Sequence, residues 1–315
     1  MKLIIQIPCY NEEKSLPITF ADLPKKIDGI DIIETLIIND GSSDKTVEVA
    51  KQLGVNHIVS FTQNRGLAMA FSAGIEKCLE LGADIIVNTD ADNQYFGGDI
   101  PKLVEPVIQH NADVVIGDRE THKINHFSWL KKKLQYSGSS LVRSLSNTNV
   151  PDAVSGFRAF SKEAALNINV LTEFSYTIEN LIQLGNQRLK IVSVPVRTNA
   201  KLRDSRLFKN LPSFVKNQLA TILRVYATYK ALRVFTTIGL IMLLPGLAGF
   251  ARFLYYYFTD GGNGHIQSLI FSTTFIIIGF LVFMFGILSD LISNNRKLIE
   301  KTLYKIKQLE LKDKK

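Results

Sequence analysis

The sequence predicts an α/β domain built on a mostly parallel sheet, followed by amphipathic juxtamembrane helices and two transmembrane helices. Three observations predict it. Short apolar runs alternate with helix-period segments through the first two thirds of the 315 residues, the pattern of strands joined by crossover helices. The runs end in polar clusters, as strands do where a ligand site forms at a sheet edge. Near residue 234 the composition changes to two long apolar runs, Val234–Phe258 and Ile266–Ile292, each long enough to cross a bilayer core, which takes about 20 helical residues.

The elements follow in order. Leu3–Pro8 reads as a strand and leads into Tyr10-Asn11-Glu12-Glu13. Ser15 and Pro17 open a helix reaching Ile27, since a first helical turn does not need the N–H that proline lacks. Ile32–Asn39 is a second strand, ending in Asp40-Gly41-Ser42-Ser43-Asp44, with Asp44 expected to cap a helix over Lys45–Leu53. His57–Phe61 is a third strand, ending at Gln63-Asn64-Arg65-Gly66, and a helix follows over Leu67–Leu81. Asp84–Asn88 is the fourth strand and runs into Thr89-Asp90-Ala91-Asp92-Asn93-Gln94-Tyr95. Asp99 and Pro101 start a helix to His110, and Asp113–Ile116 is a strand ending at Gly117-Asp118-Arg119. A basic, polar stretch over 120–133 leads into a helix ending near Leu145. Glu163–Ile168 and Thr177–Asn186 read as helices, and Lys190–Pro195 as the last strand.

The stretch over 89–95 carries the chemistry. Two carboxylates one residue apart repel and raise each other's pKa. A divalent cation removes the repulsion, and hard oxygen ligands suit Mg²⁺ or Mn²⁺, which share one or two carboxylates with substrate phosphates. An acidic turn is the plain alternative, since Asp and Asn are ordinary turn residues. Ligands of parallel sheets bind beyond the carboxyl ends of the strands. Here those ends offer Tyr10-Asn11-Glu12, Asp40, Asn64-Arg65 and Asp90 with Asp92. Together they favour a nucleoside diphosphate held through a cation. Asp40 emerges directly from a buried strand and reads as a ligand contact, with a turn role as the alternative. His122 and His126 have a metal-like i, i+4 spacing but no third ligand, and read as solvated surface.

The net charge of +8 points to nucleic acid, anionic lipid or phosphorylated substrates. Ordinary aromatic content and the lack of any nucleic-acid motif exclude the first. Cys9 and Cys78 show no pairing pattern, which fits a reducing compartment and offers no zinc site. Met1–Pro8 is broken too soon for a signal peptide. The link from Thr259 to His265 has no Lys or Arg, whereas Arg224, Lys230, Arg233, Arg296, Lys297, Lys301, Lys305 and Lys307 flank the other ends of the runs. By the positive-inside rule the link faces out, with the α/β domain and both termini cytoplasmic on a multi-pass inner-membrane protein. A buried soluble hairpin is the alternative. Residues 207–233 interleave apolar positions with Lys209, Lys216, Arg224 and Lys230. They read as helices on the cytoplasmic leaflet, drawn to anionic lipid by about 1 kcal/mol per basic residue, or packed on the α/β domain. The tail over 293–315 is expected to be basic, frayed at its end and in contact with lipid.

Pro8-Cys9-Tyr10-Asn11-Glu12-Glu13, Asn39-Asp40-Gly41-Ser42-Ser43-Asp44-Lys45-Thr46, Asn64-Arg65-Gly66 and Asp90–Tyr95 together resemble family 2 glycosyltransferases. More closely, residues 3–206 resemble the polyprenyl-phosphate sugar transferases related to dolichyl-phosphate mannose synthase. The resemblance implies a GT-A (Rossmann-like) catalytic domain over 1–206, which the interfacial helices over 207–233, the transmembrane hairpin over 234–292 and the tail over 293–315 follow in the chain. It implies a nucleoside diphosphate sugar donor on Pro8, Tyr10, Asn11, Glu12, Asp40, Asn64, Gly66, Asp90, Ala91 and Asp92, and Mg²⁺ or Mn²⁺ on Asp90, Asp92 and Gln94.

Pro151–Phe160 resembles the acceptor-side loop of that family, with Asp152 ahead of Ser155-Gly156-Phe157-Arg158. Gly156 permits close backbone approach. Arg158 offers a planar fork for phosphate or for an acid such as Asp152. The implied reaction moves a sugar, with inversion, to a polyprenyl (undecaprenyl) phosphate. That acceptor is already anionic, so it needs cationic positioning rather than a strong base. Arg119, Arg158 and Arg203 are the catalytic candidates, with Lys201, Arg206 and Ser155 on the acceptor and Asp152 orienting them. A proline expected after the metal motif is replaced by Phe96-Gly97-Gly98, which predicts a longer loop. Two alternatives stand beside this reading. A polysaccharide synthase of the same family would carry Gln-x-x-Arg-Trp, but the one tryptophan is Trp129 in Phe127-Ser128-Trp129-Leu130. A non-catalytic lipid-binding membrane protein would not need the intact Asp90 and Asp92. A homo-oligomer is left open.

Overall fold

The computed structural model describes residues 1–120, 148–170, 176–200, 231–261 and 265–313, with Val142, Arg143 and Ser146. The chain divides into two units, one made of residues 1–222 with 304–315 and the other of residues 223–303.

The first unit is built on β1 (Lys2–Cys9), whose run of apolar residues is buried on both faces, as a central parallel strand must be. Its neighbours are β2 (Ile32–Asn39) and β4 (Ile85–Asn88), both parallel to it. β3 (His57–Ser60) extends the sheet beyond β2. On the other side lie β6 (Arg158–Ser161), β5 (Val114–Asp118) and β7 (Ile191–Pro195). The order is β3-β2-β1-β4-β6-β5-β7. Only β6 is antiparallel to its neighbours. The sheet is therefore mostly parallel, as expected. Sequence reasoning missed β6, because its four residues follow the Ser155-Gly156-Phe157 loop without a break in pattern.

Alternate residues of β1 face opposite layers. Leu3, Ile5 and Ile7 join Leu16 of α1 (Leu16–Ala21) and Leu103 and Val104 of α4 (Ile100–Ile108) in one core. Between β2 and β3 lies α2 (Thr46–Gln52). On the opposite face Gln6 and Ile38 meet α3 (Leu67–Glu80), where a Cβ on Gly74 would stand 2.4 Å from Gln6 Oε1. Phe71 of α3 stacks on Tyr176 at 3.9 Å, the first residue of α6 (Tyr176–Asn186). α5 (Lys162–Asn167) follows β6 and is capped by Ser161, whose hydroxyl accepts the Ala164 N–H at 3.1 Å.

Two expectations are corrected. The first helix stops at Ala21 instead of running to Ile27. The replacement of proline after the metal motif does not lengthen a loop. Gly97–Asp99 forms a 3₁₀ turn that runs straight into α4, and glycine at 97 lets the backbone approach Asp22, whose carbonyl oxygen is 2.7 Å from where a Cβ would lie.

The second unit holds α7 (Ala231–Asp260) and the greater part of α8 (Ile266–Asp313). Both are long and apolar enough to cross a membrane. They approach through small residues. A Cβ on Gly279 would lie 3.0 Å from Gly239 O, and one on Gly286 would lie 2.9 Å from Phe235 Cβ. Ser272, Gly279, Gly286 and Ser293 are the buried positions of α8, a seven-residue repeat that lets two helix backbones pack closely. The last helix runs as far as the described residues reach, and Lys314 and Lys315 lie outside them. It continues to Asp313, and Lys307 Nζ donates to Ile168 O (2.9 Å) and Asn169 Oδ1 (3.1 Å) of the first unit, in which residues 304–315 are counted. The interfacial region over 207–230 lies outside the described residues.

Candidate active site

β1 is flanked by β2 on one side and β4 on the other, so the connections leave in opposite directions and open a crevice at the carboxyl ends of β1 and β4. Ligands of open α/β sheets bind at this switch point. Every strand-end cluster singled out in the sequence arrives there or beside it.

The loops over 10–13, 40–46 and 63–66 are knitted together. Asn11, in a left-handed conformation at φ 54°, accepts the Ser43 N–H through Oδ1 (2.8 Å) and donates its own N–H to Ser42 Oγ (2.9 Å). The Glu12 N–H donates to Thr46 Oγ1 (2.8 Å), and the Glu13 N–H to Asp44 Oδ2 (3.1 Å). Asp44 also accepts the Thr46 N–H at 3.0 Å, so it serves the first turn of α2. Pro8 and Glu12 are buried, and Tyr10 is exposed at the rim. Asp40, buried at the end of β2, accepts the N–H of Arg65 (2.7 Å) and Gly66 (3.0 Å) and the amide of Asn64 (3.0 Å). The residue expected to touch ligand thus holds the 64–66 loop in place. Gly41 permits this: its φ is 70°, and a Cβ would fall 2.4 Å from the Gln63 carbonyl carbon.

The Asp90–Tyr95 stretch follows β4. Asp90 and Asp92 are half-buried, and Ala91 is buried with its carbonyl accepting from Thr19 Oγ1 at 3.0 Å. Asp92 Oδ1 accepts the Gln94 N–H at 3.1 Å. Asn93 Oδ1 is buried without a hydrogen-bond partner, as is Ser155 Oγ in the facing loop. Buried polar atoms are rarely left so unless a ligand or water completes them. Among the described residues no three His, Cys, Asp or Glu side chains gather as a metal set. Asp90 and Asp92 are the carboxylates at this strand end, a pair that fits Mg²⁺ or Mn²⁺ shared with substrate phosphates.

The 152–158 loop lies against this motif. Arg119, at the end of β5, makes a bidentate pair with Asp152, Nε to Oδ2 at 2.7 Å and Nη2 to Oδ1 at 2.9 Å. Its guanidinium also sits 5.9 Å from the centre of the Tyr95 ring. Burial alone would lower the Arg119 pKa, but Tyr95 and Asp152 outweigh it and raise it, so the group stays charged. Tyr95 is 3% exposed and stacks on Phe157 at 5.0 Å. Its hydroxyl accepts the Gly156 N–H at 3.0 Å, and burial raises its pKa.

Arg158 has a different place from the one expected. It is 1% exposed, and its Nε, Nη1 and Nη2 donate to the carbonyls of Ser155, Thr177 and Ala153 at 2.8–2.9 Å. A guanidinium bonded this way shapes the loop and does not meet an acceptor phosphate. Lys201, Arg203 and Arg206 lie outside the described residues, as do His122, His126 and Trp129.

Several partners were not read from sequence. Asn88, the last residue of β4, accepts from Gln6 Nε2 (2.9 Å) and donates to Gly156 O (2.8 Å) and the Tyr176 hydroxyl (3.0 Å). Asp99 is held by Arg197, which stacks 4.1 Å from the Phe96 ring centre. Segment 197–199 thereby straps the metal loop, with Asn199 N–H donating to Gln94 O at 2.9 Å. Polar Gln6 and Asn88 inside apolar strands were the available signal.

Paired carboxylates in this crevice, on a sheet of this order, define a GT-A glycosyltransferase. The chain belongs to glycosyl transferase family 2, whose family pattern matches residues 4–168. It is 32% identical over 216 residues to the UDP-N-acetylglucosamine–dolichyl-phosphate N-acetylglucosaminyltransferase of Methanococcus voltae, covering 61% of this chain and 83% of that one. It is 30% identical over 206 residues to the undecaprenyl-phosphate mannosyltransferase of Micrococcus luteus, covering 62% and 83%. Glucosyl-3-phosphoglycerate synthase from Mycobacterium tuberculosis, solved with Mn²⁺, UDP and glucosyl-3-phosphoglycerate, matches the fold with a TM-score of 0.56 at 20% identity, over 72% of this chain and 80% of that chain.

Proposed function

We propose that this glycosyltransferase moves a sugar, with inversion, from a nucleoside diphosphate sugar to a polyprenyl phosphate, undecaprenyl phosphate in a bacterial membrane, at the cytoplasmic face. The observation that carries the proposal is the placement of Asp90 and Asp92 in the β1/β4 crevice with the 152–158 loop packed against them. The names of the Methanococcus and Micrococcus relatives support a lipid phosphate as acceptor.

Donor binding falls to the knitted loops. Pro8, Tyr10, Asn11 and Glu12 border the base, and Asp40 fixes Asn64 and Gly66 as its far wall. Asp90 and Asp92, with Gln94 beside them, would hold Mg²⁺ or Mn²⁺, which when bound offsets charge on the leaving diphosphate. The acceptor phosphate needs no strong base. It needs a cation held in place, and Arg119 supplies one: Asp152 fixes Nε and Nη2, leaving Nη1 without a bond among the described contacts. Lys201, Arg203 and Arg206 are proposed to extend this cationic edge toward the membrane. In-line attack at the anomeric carbon then inverts configuration. α7 and α8 are proposed to hold the domain at the inner membrane with the 259–265 link outside.

The test uses the purified full chain in detergent with undecaprenyl phosphate and a panel of radiolabelled UDP- and GDP-sugars, with Mn²⁺ or with EDTA. Metal-dependent formation of a lipid-linked sugar of inverted anomeric configuration is expected. Donor hydrolysis with no lipid product would remove the acceptor assignment, and full turnover in EDTA would remove the metal.

A further inference from the structure

We infer that Tyr95 is a positioning residue that sets the gap between the Asp90 carboxylate and the acceptor-side loop, and through it the affinity of the site for its divalent cation. The inference rests on the proposed role of Asp90 as a metal ligand and goes beyond it, because Tyr95 touches neither donor nor acceptor in that role.

The Gly156 peptide is gripped at both ends. Its N–H donates to the Tyr95 hydroxyl at 3.0 Å, and its carbonyl accepts from Asn88 Nδ2 at 2.8 Å. The two grips come from opposite sides of the motif: Asn88 precedes Asp90 on β4, and Tyr95 follows Asp92. Asn88 is itself pinned by Gln6 of β1. A Cβ on Gly156 would stand 3.0 Å from the Tyr176 hydroxyl and 3.3 and 3.4 Å from Asp90 Oδ1 and Oδ2, so the loop backbone lies close against the carboxylate and an added methyl would press on it. The loop cannot shift without changing the space in which Asp90 turns.

Tyr95 is fixed for this task. Its ring is stacked on Phe157 and faced by the Arg119 guanidinium, so the hydroxyl has one position relative to the sheet. Removing it leaves the ring in place and a buried N–H without its acceptor. The loop then relaxes toward or away from Asp90. Groups bonded directly to a metal ligand change metal affinity or activity by about 10–100-fold when lost, and Tyr95, which acts on Asp90 through Gly156, falls at the lower end of that range.

The experiment compares wild type, Tyr95→Phe, Gly156→Ala and Tyr176→Phe as full chains in detergent, measuring Mn²⁺ binding by the loss of the free-ion EPR signal, with Mn²⁺ alone and with UDP or GDP. The apparent Kd for Mn²⁺ is expected to rise about tenfold in Tyr95→Phe, with kcat recovering at saturating Mn²⁺. Gly156→Ala, which crowds Asp90 from the other side, is expected to shift the same Kd and stands in if Tyr95→Phe does not fold. Tyr176→Phe removes the hydroxyl that accepts from Asn88 but keeps both Gly156 bonds, and is expected to shift the Mn²⁺ Kd less than Tyr95→Phe does. Wild-type affinity in Tyr95→Phe, or an equal loss in Tyr176→Phe, overturns the inference alone. A wild type that binds no Mn²⁺ under any of these conditions overturns the metal assignment and the inference together.

Discussion

Arg119 and Asp152 meet through two parallel hydrogen bonds of 2.7 and 2.9 Å, with 17% and 2% of their side chains exposed. Bidentate geometry of this kind fixes direction as well as charge. Asp152 is therefore the residue that aims Arg119, and the two act as a unit. Asp152→Ala leaves a largely buried guanidinium without its counter-charge, which costs on the order of 3–5 kcal/mol in comparable buried pairs. The variant should unfold at lower temperature. In the fraction that stays folded, the KM for lipid phosphate should rise more than the KM for donor. A variant with unchanged thermal stability and unchanged acceptor KM would show that the pair neither supports the loop nor aims the cation.

Arg158 is expected to respond differently. Its three donors go to backbone carbonyls of residues 153, 155 and 177, and burial lowers its pKa. Arg158→Ala takes its donor from the buried Ser155 and Ala153 carbonyls and one bond from Thr177, at about 1–3 kcal/mol for each group left unsatisfied. The loss should appear as lower thermal stability and faster proteolysis of the 152–158 loop, with donor and acceptor use falling together. Arg158→Lys should rescue little, since an ammonium cannot reproduce a planar fork. A selective loss of acceptor use in a fully stable Arg158→Ala protein would return this residue to the acceptor site.

The contrast between these two arginines shows what the sequence could convey. Both sit beside turns at strand ends, and both offer a fork suited to phosphate. Whether a fork faces a crevice or a carbonyl cage depends on residues far away in the chain: Asp152 for Arg119, Thr177 for Arg158. The parallel core was legible because Ile4, Ile5, Ile37, Ile38, Ile86 and Val87 fall in short apolar runs bounded by turn residues, a local signal. Asp90 and Asp92 were legible because their spacing and position at a strand end are local too. β6 was not. It is four residues long and antiparallel, and it exists because β4 and β5 leave a space between them that Ala159 and Phe160 fill. The Asp40 contacts to 64–66 and the Tyr95 contact to Gly156 join segments 24 or more residues apart. No periodicity within one segment reports them.

Asp99 gives the site a pH limit. It is fully buried at the turn into α4, and it accepts from Arg197 Nη2 at 2.7 Å, from the Arg197 N–H at 2.7 Å, and pairs with Lys102 at 2.9 Å. Burial by itself would raise its pKa, but Arg197 and Lys102 overcome that and hold it down to about 2, below the ordinary 3.8. A carboxyl whose folded pKa lies below its unfolded value stabilises the fold fully above the unfolded pKa and loses that effect as pH falls through the folded one. The strap of residues 197–199 over the metal loop should therefore hold at neutral pH and weaken between about pH 4 and pH 2. Arg197→Ala removes the side-chain donors while the backbone N–H remains, so the Asp99 pKa should rise toward its ordinary value. Acid unfolding of the catalytic domain, followed by circular dichroism, should then begin at higher pH than in wild type. Lys102→Ala should produce a smaller shift in the same direction, because it removes one ion pair and not the bidentate contact. Identical acid-unfolding curves for wild type and Arg197→Ala would mean that the 197–199 segment stays on the metal loop without Asp99.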